Sequence, residues 1–301
     1  MVKKWNITIP ELSGDEERRV YVYLPESYRW NSKRRYPVLY MFDGHNLFFD
    51  SDATYGKSWG LKKYMDQSKT QLIIVAVECS HDPDNGRLKE YSPFTFEDDT
   101  FGHVDGRGQE TMEWFVNELK PFIDAQLRTM PDRRHTFIAG SSMGGLMALY
   151  AAVEYNHVFG RAAAISPSLW VNPEGICEMI RHSAMKMDTV LYMDYGENEM
   201  KRRKGMHKSY TQVMTQLQKK RILLSSRMIP KGEHSEASWE KTAALYHQHA
   251  DVLTEAMYQK PQSASIKEKT KATNRKRDEK LDEKLYFYFS KLPYKLLEIL
   301  P

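Results

Sequence analysis

His135-Thr136-Phe137-Ile138-Ala139-Gly140-Ser141-Ser142-Met143-Gly144-Gly145-Leu146-Met147-Ala148-Leu149-Tyr150 changes character at its centre. His135 to Ala139 reads as a buried strand, the residues after Gly145 are good helix formers, and Gly-x-Ser-x-Gly makes the turn between them. A residue at the tip of so sharp a strand–turn–helix has unfavourable backbone angles, and neighbours without Cβ atoms let strand and helix approach. Such a turn presents a nucleophile. The Ser142 hydroxyl projects from the carboxyl edge of a sheet, and the Met143 N–H, at the helix start, points at a developing oxyanion.

Working outward, apolar β-branched and aromatic runs recur at Val20 to Leu24, Pro37 to Phe42, Leu72 to Val77, Ala162 to Ile165, Val190 to Tyr195 and Ile222 to Ile229, after a short alternating strand at Trp5 to Ile9. Several are near-continuous, as in strands covered on both faces. Helical patterns at Glu110 to Leu127, Gly145 to Glu154, Gly205 to Lys219 and Ala237 to Tyr258 separate the later ones. This predicts an α/β fold with a mostly parallel central sheet, helices on both faces and an antiparallel entry hairpin.

The 301 residues, 41% hydrophobic and 12% aromatic, suffice for a sizeable core and exclude a wholly disordered or collagen-like chain. From Lys260 onward there are 11 Lys and Arg against 6 Asp and Glu, whereas the remainder carries 33 against 34. The body is therefore near neutral, and the pI of about 8.7 reports a basic tail and no nucleic-acid-binding surface. Residues 1–258 are read as one domain and 259–301 as a basic, flexible tail. Lys260 to Lys284 has almost no large apolar residue, and Leu285 to Leu300 is apolar but broken by Pro293, a combination suited to weak contact with a membrane surface or a partner. The N-terminus lacks the apolar core of a signal peptide, and a cytoplasmic location is expected. Cys79 and Cys177 read as two buried thiols.

A serine hydroxyl is a poor nucleophile at neutral pH and needs a base. Of ten histidines, His234 alone sits just beyond the last strand and before the last long helix. The orienting carboxylate belongs after Val190 to Tyr195, where Gly196-Glu197-Asn198-Glu199 follows. Glu199 is the favoured choice, with Glu197 and Asp194 as rivals. The order Ser, acid, His is that of α/β-hydrolases. A second oxyanion donor is expected in the turn Asp43-Gly44-His45-Asn46-Leu47-Phe48, from the N–H of His45. Trp170, past Ala162 to Ile165, is placed to stack on a sugar or an aromatic acyl group, and the long loop His81 to Gly108, with Arg87, Tyr91 and Phe94, to cap the site. Asp82, Asp84 and Asn85 lack the glycine and distal Glu of a calcium loop, so neither a metal nor a cofactor is expected.

With these residues in place, the chain resembles the putative-esterase family of α/β-hydrolases, which includes S-formylglutathione hydrolase, feruloyl and acetylxylan esterases, enterobactin-type trilactone esterases and mycolyltransferases. The resemblance rests on Tyr36-Pro37-Val38-Leu39-Tyr40 with the Asp43 to Phe48 turn, on Glu118-Leu119-Lys120-Pro121-Phe122-Ile123-Asp124, on Gly140 to Gly145, and on Ser166-Pro167-Ser168-Leu169-Trp170. Members often carry Gln at the position of His45, a change that leaves the backbone donor intact. The resemblance implies cofactor-free hydrolysis of a small or medium acyl ester through an acyl-serine intermediate, the ester being sugar-linked, a siderophore lactone or a thioester. An acyltransferase of the same fold, or a non-catalytic interaction protein, is the alternative.

Overall fold

The computed structural model describes residues 1–202 and 205–241. The expected helix Ala237 to Tyr258 is described only at its start, and the expected boundary at 258/259 and tail lie outside these residues.

Among the described residues ten strands occur in chain order: β1 (Val2–Ile9), β2 (Gly14–Tyr23), β3 (Val38–Met41), β4 (Ile73–Val77), β5 (Phe96–Asp98), β6 (Gly102–Val104), β7 (Thr136–Ser141), β8 (Arg161–Ile165), β9 (Val190–Gly196) and β10 (Leu223–Ile229). Eight form one sheet in the order β1-β2-β4-β3-β7-β8-β9-β10. β1, β2 and β4 pair antiparallel and every later pair is parallel, which is the expected architecture with its entry hairpin. In β4, β7 and β9 every residue is buried, which explains their near-continuous apolar runs, Asp194 in β9 being the charged exception. β10, at the edge, leaves Leu223 and Met228 exposed.

Strand order determines what reaches the carboxyl edge. β7 lies at the middle of the sheet, so the turn after it has the β3 turn on one side and the β8 and β9 loops on the other. Behind it runs the helix Met143–Glu154, ten of whose twelve residues are buried. A helix apolar on all sides is one buried on all sides.

Two local features go beyond the sequence reading. The span expected as one helix from Glu110 to Leu127 is Gly108–Trp114 and Lys120–Gln126 joined by a π turn, Phe115–Leu119. Pro121 supplies the reason, since its ring has no N–H for the preceding turn and crowds the carbonyl four residues back, and a wider turn relieves both. The loop 81–108 is also not bare. It holds a short helix, Gly86–Glu90, and the antiparallel ribbon β5–β6.

That excursion is tied to the sheet by charge. Arg18 on β2 and Glu90 are both 2% exposed, and the guanidinium donates from both terminal nitrogens to the carboxylate, one at 2.7 Å, while Ser80 N–H donates to Glu90 Oε2 at 3.1 Å. Removing one partner of a buried pair leaves the other uncompensated, so Glu90→Ala is expected to lower the unfolding free energy by about 3–5 kcal/mol in a denaturant titration. A change below 1 kcal/mol would show that the pair is not an anchor.

Candidate active site

Ser142 adopts φ 58° and ψ −121°, a conformation that side-chain-bearing residues avoid and that persists only where surroundings over-determine it. Three backbone hydrogen bonds do so. Ser142 N–H donates to Ile165 O, and its carbonyl accepts from Leu146 N–H and Ser168 N–H, each at 3.0 Å. Gly145 is where helix and strand must nearly touch, for a Cβ there would lie 2.6 Å from the carbonyl oxygen of Ile165.

His234 Nε2 lies 3.0 Å from Ser142 Oγ, and His234 Nδ1 lies 2.7 Å from Glu199 Oε2. Residues 92 positions apart in the chain thus form one hydrogen-bonded line. Glu199 sits in the helix Glu197–Arg202, its carboxylate is buried, and its other oxygen accepts from Gly196 N–H and from Ser166 Oγ–H, both at 2.8 Å. The loops after β9 and β10 come this close because both are glycine where they meet. A Cβ on Gly196 would strike the Gly232 carbonyl, and Asn198 N–H donates to that same carbonyl at 3.1 Å.

The rival carboxylates are engaged elsewhere. Glu197 pairs with Lys201 at 2.7 Å and accepts from Lys231 N–H at 3.1 Å. Asp194 accepts from Tyr192 Oη–H at 2.9 Å and from Ser166 N–H at 3.3 Å. Sequence reasoning missed Ser166 and Trp239. The indole N–H of Trp239 donates to Ser166 Oγ at 3.1 Å, so Ser166 relays it to Glu199, and the indole edge meets the His234 ring with centroids 5.0 Å apart. The Ser166-Pro167-Ser168 stretch hinted at such a role, whereas nothing local marks Trp239.

Gly44–Asn46 is one 3₁₀ turn at the end of β3, preceded by Asp43 in the left-handed region, φ 56° and ψ 50°. The first N–H groups of such a turn, and of the Met143–Glu154 helix, have no partner within their own element, which leaves the His45 and Met143 amides available as donors. The His45 ring is buried with Nε2 3.0 Å from Thr54 Oγ1, and burial pushes its pKa down, so the side chain is held neutral. Arg87 grips Asp43 with two hydrogen bonds, Nε to Oδ1 at 2.7 Å and Nη2 to Oδ2 at 2.8 Å. Burial alone would raise the Asp43 carboxyl, but Arg87 holds it below the usual carboxylate range.

Asp43, His45 and Cys79 bring one potential ligand atom each within 4.8 Å of one another, a metal-like grouping among the described residues. Its chemistry fits a cation poorly. Asp43 already faces a guanidinium, and burial pushes the Cys79 thiol up, so it stays protonated. Trp170 is half-buried, with Phe96 against it edge-on at 5.7 Å and Phe101 stacked at 6.5 Å. The ring the sequence offered to a substrate is thus packed by the ribbon. Cys79 and Cys177 are buried free thiols as expected. Among the described residues no helix is long and apolar enough to cross a membrane.

Fold and geometry together describe an α/β protein with a mostly parallel central sheet and a serine in a strained turn at its carboxyl edge. The chain belongs to the Putative esterase family, whose pattern matches residues 13–258. It is 28% identical over 194 residues, 64% of this chain and 72% of the relative, to the uncharacterized protein YbbA of Bacillus subtilis. Over 150 residues, half of this chain, it is 33% identical to Esterase Rv1288 of Mycobacterium tuberculosis, of which the match spans 29%. Among solved structures, an IroE-like serine hydrolase from Shewanella oneidensis superposes with a TM-score of 0.64 at 19% identity, covering 85% of this chain and 88% of that one. A ferulic acid esterase does so with a TM-score of 0.62 at 19% identity, covering 85% and 98%. At such identity the likeness shows the fold.

Two outcomes follow from this packing. Ser166→Ala leaves the Trp239 N–H and one Glu199 oxygen each short of a partner in a buried place, and is expected to cost about 1–3 kcal/mol in a denaturant titration. The depressed Asp43 carboxyl gives stability that is present above its unfolded pKa of about 3.9 and is lost as pH falls through the still lower folded value. Melting temperature in wild type should therefore fall below about pH 4 more steeply than in Asp43→Asn, and parallel curves would contradict the assignment.

Proposed function

We propose that the chain is a serine esterase that hydrolyses a small or medium acyl ester through an acyl-serine intermediate. The observation that carries this is the unbroken line from Ser142 Oγ through the His234 ring to Glu199, at 3.0 and 2.7 Å. In this reading Ser142 Oγ attacks the ester carbonyl while His234 Nε2 takes its proton, and Glu199 stabilises the imidazolium that results. The carbonyl oxygen, now an oxyanion, is met by the N–H groups of Met143 and His45. Collapse expels the alcohol, which takes the proton back from Nε2. A water activated by the same nitrogen then releases the acid and frees Ser142.

No step in this sequence calls on a metal or cofactor. The substrate candidates are those of the resemblance and of the similar proteins: a sugar-linked acetyl or feruloyl ester, a siderophore lactone, or a thioester. All place an acyl carbon next to a leaving oxygen or sulfur, so the same groups serve each.

The test is a hydrolysis screen over p-nitrophenyl esters of increasing chain length, feruloyl esters and a catechol trilactone, run beside three variants. Ser142→Ala is expected to lose about 10⁶-fold in kcat with unchanged melting. Glu199→Ala should lose less, because it orients and stabilises without touching the ester, and Glu197→Ala should be close to wild type. A folded Ser142→Ala protein keeping more than about one per cent of the rate would overturn the reading.

A further inference from the structure

The site contains a charged pair that the reaction does not itself use. Arg87, from the excursion 81–108, reaches Asp43, which immediately precedes the turn carrying His45. Asp43 is 4% exposed and left-handed in backbone, a region that Asp enters more readily than most side-chain-bearing residues. Contacts on several sides hold it there. Arg87 takes both carboxylate oxygens, Asp43 N–H donates to Tyr91 Oη at 3.2 Å, and the Tyr91 ring meets Phe42 edge-on at 5.0 Å. Oδ2 also lies beside the start of the nucleophile helix, where a Cβ on Gly144 would come within 3.2 Å of it.

We propose that Arg87 is a positioning residue for the esterase reaction: its two-pronged grip on Asp43 holds the 44–46 turn so that the His45 N–H serves as oxyanion donor. This rests on the proposed nucleophilic role of Ser142. Arg87 touches no reacting atom. It acts by fixing the left-handed turn, and a lysine, with one point of contact in place of a planar fork, holds it less firmly. The helix Gly86–Glu90 that carries Arg87 is itself fixed to the sheet through Glu90 and Arg18, so the oxyanion turn is braced from β2 through the excursion.

The experiment is inactivation by an alkyl fluorophosphonate, followed by intact mass, in wild type, Arg87→Gln and Arg87→Lys. Ser142 Oγ forms a bond to phosphorus, fluoride leaves with the P–F electron pair, and the serine proton passes to His234, while the phosphoryl oxygen carries charge into the oxyanion hole. The inactivation rate constant at saturation is expected to fall about 10–100-fold in Arg87→Gln and by a smaller factor in Arg87→Lys, with the half-saturating concentration within about twofold of wild type. The acid limb of the pH profile should not move, because the pair acts on geometry and not on the charge of His234. Melting curves identify folded protein, and if Arg87→Gln does not fold, Arg87→Lys decides. A folded variant inactivated at the wild-type rate, or one altered only in half-saturation, overturns the proposal. Failure of the wild type to be labelled at Ser142 would instead remove the nucleophile reading on which it stands.

Discussion

The backbone of Ser142, at φ 58°, is the constraint on which the rest of the carboxyl edge depends. A conformation of that kind costs on the order of 1–3 kcal/mol and would relax if its neighbours allowed it. They do not, because its N–H is bound to β8, its carbonyl is bound both to the helix behind it and to the loop after β8, and the flanking glycines leave no room for the chain to shift. The hydroxyl is left as the free part of a fixed residue. That is the condition a nucleophile requires, since a misplacement of about 1 Å costs about two orders of magnitude in rate.

The remaining groups are placed by the same means, close backbone approach backed by buried polar contacts. Gly196 against Gly232 brings the β9 and β10 loops together, so Glu199 and His234 meet although 35 residues separate them. Ser166 donates to Glu199 and accepts from Trp239, which matters because a buried carboxylate short of donors is expensive. On the other flank Asp43 and Arg87 brace the His45 turn. The edge is therefore held on both sides of Ser142 by buried carboxylates, Glu199 and Asp43, each with its partner.

Much of this was legible in the sequence, for identifiable reasons. Strands covered on both faces are apolar over most of their length, so β4, β7 and β9 announced themselves, and the Gly140 to Gly145 turn has few other uses. Chain order singled out His234 and placed Glu199 among three carboxylates. Choosing between Glu199 and Glu197 required knowing which reaches His234 and which meets Lys231, a matter of helix phase at a strand end. The Trp239–Ser166 and Arg87–Asp43 contacts span 73 and 44 residues and leave no local pattern. The β5–β6 ribbon is three residues a strand and carries two adjacent carboxylates, too short for alternation to show, and the π turn at Phe115–Leu119 answers to one proline.

In the proposed reaction the acyl group passes through Ser142. Acid quenching of the protein during turnover of p-nitrophenyl butyrate, followed by proteolysis and mass measurement of the peptides, tests this passage. A butyryl increment is expected on the peptide containing Ser142, formed as p-nitrophenol is released. An increment on any other residue, or accumulation of product with no acylated peptide at any quench time, would contradict it.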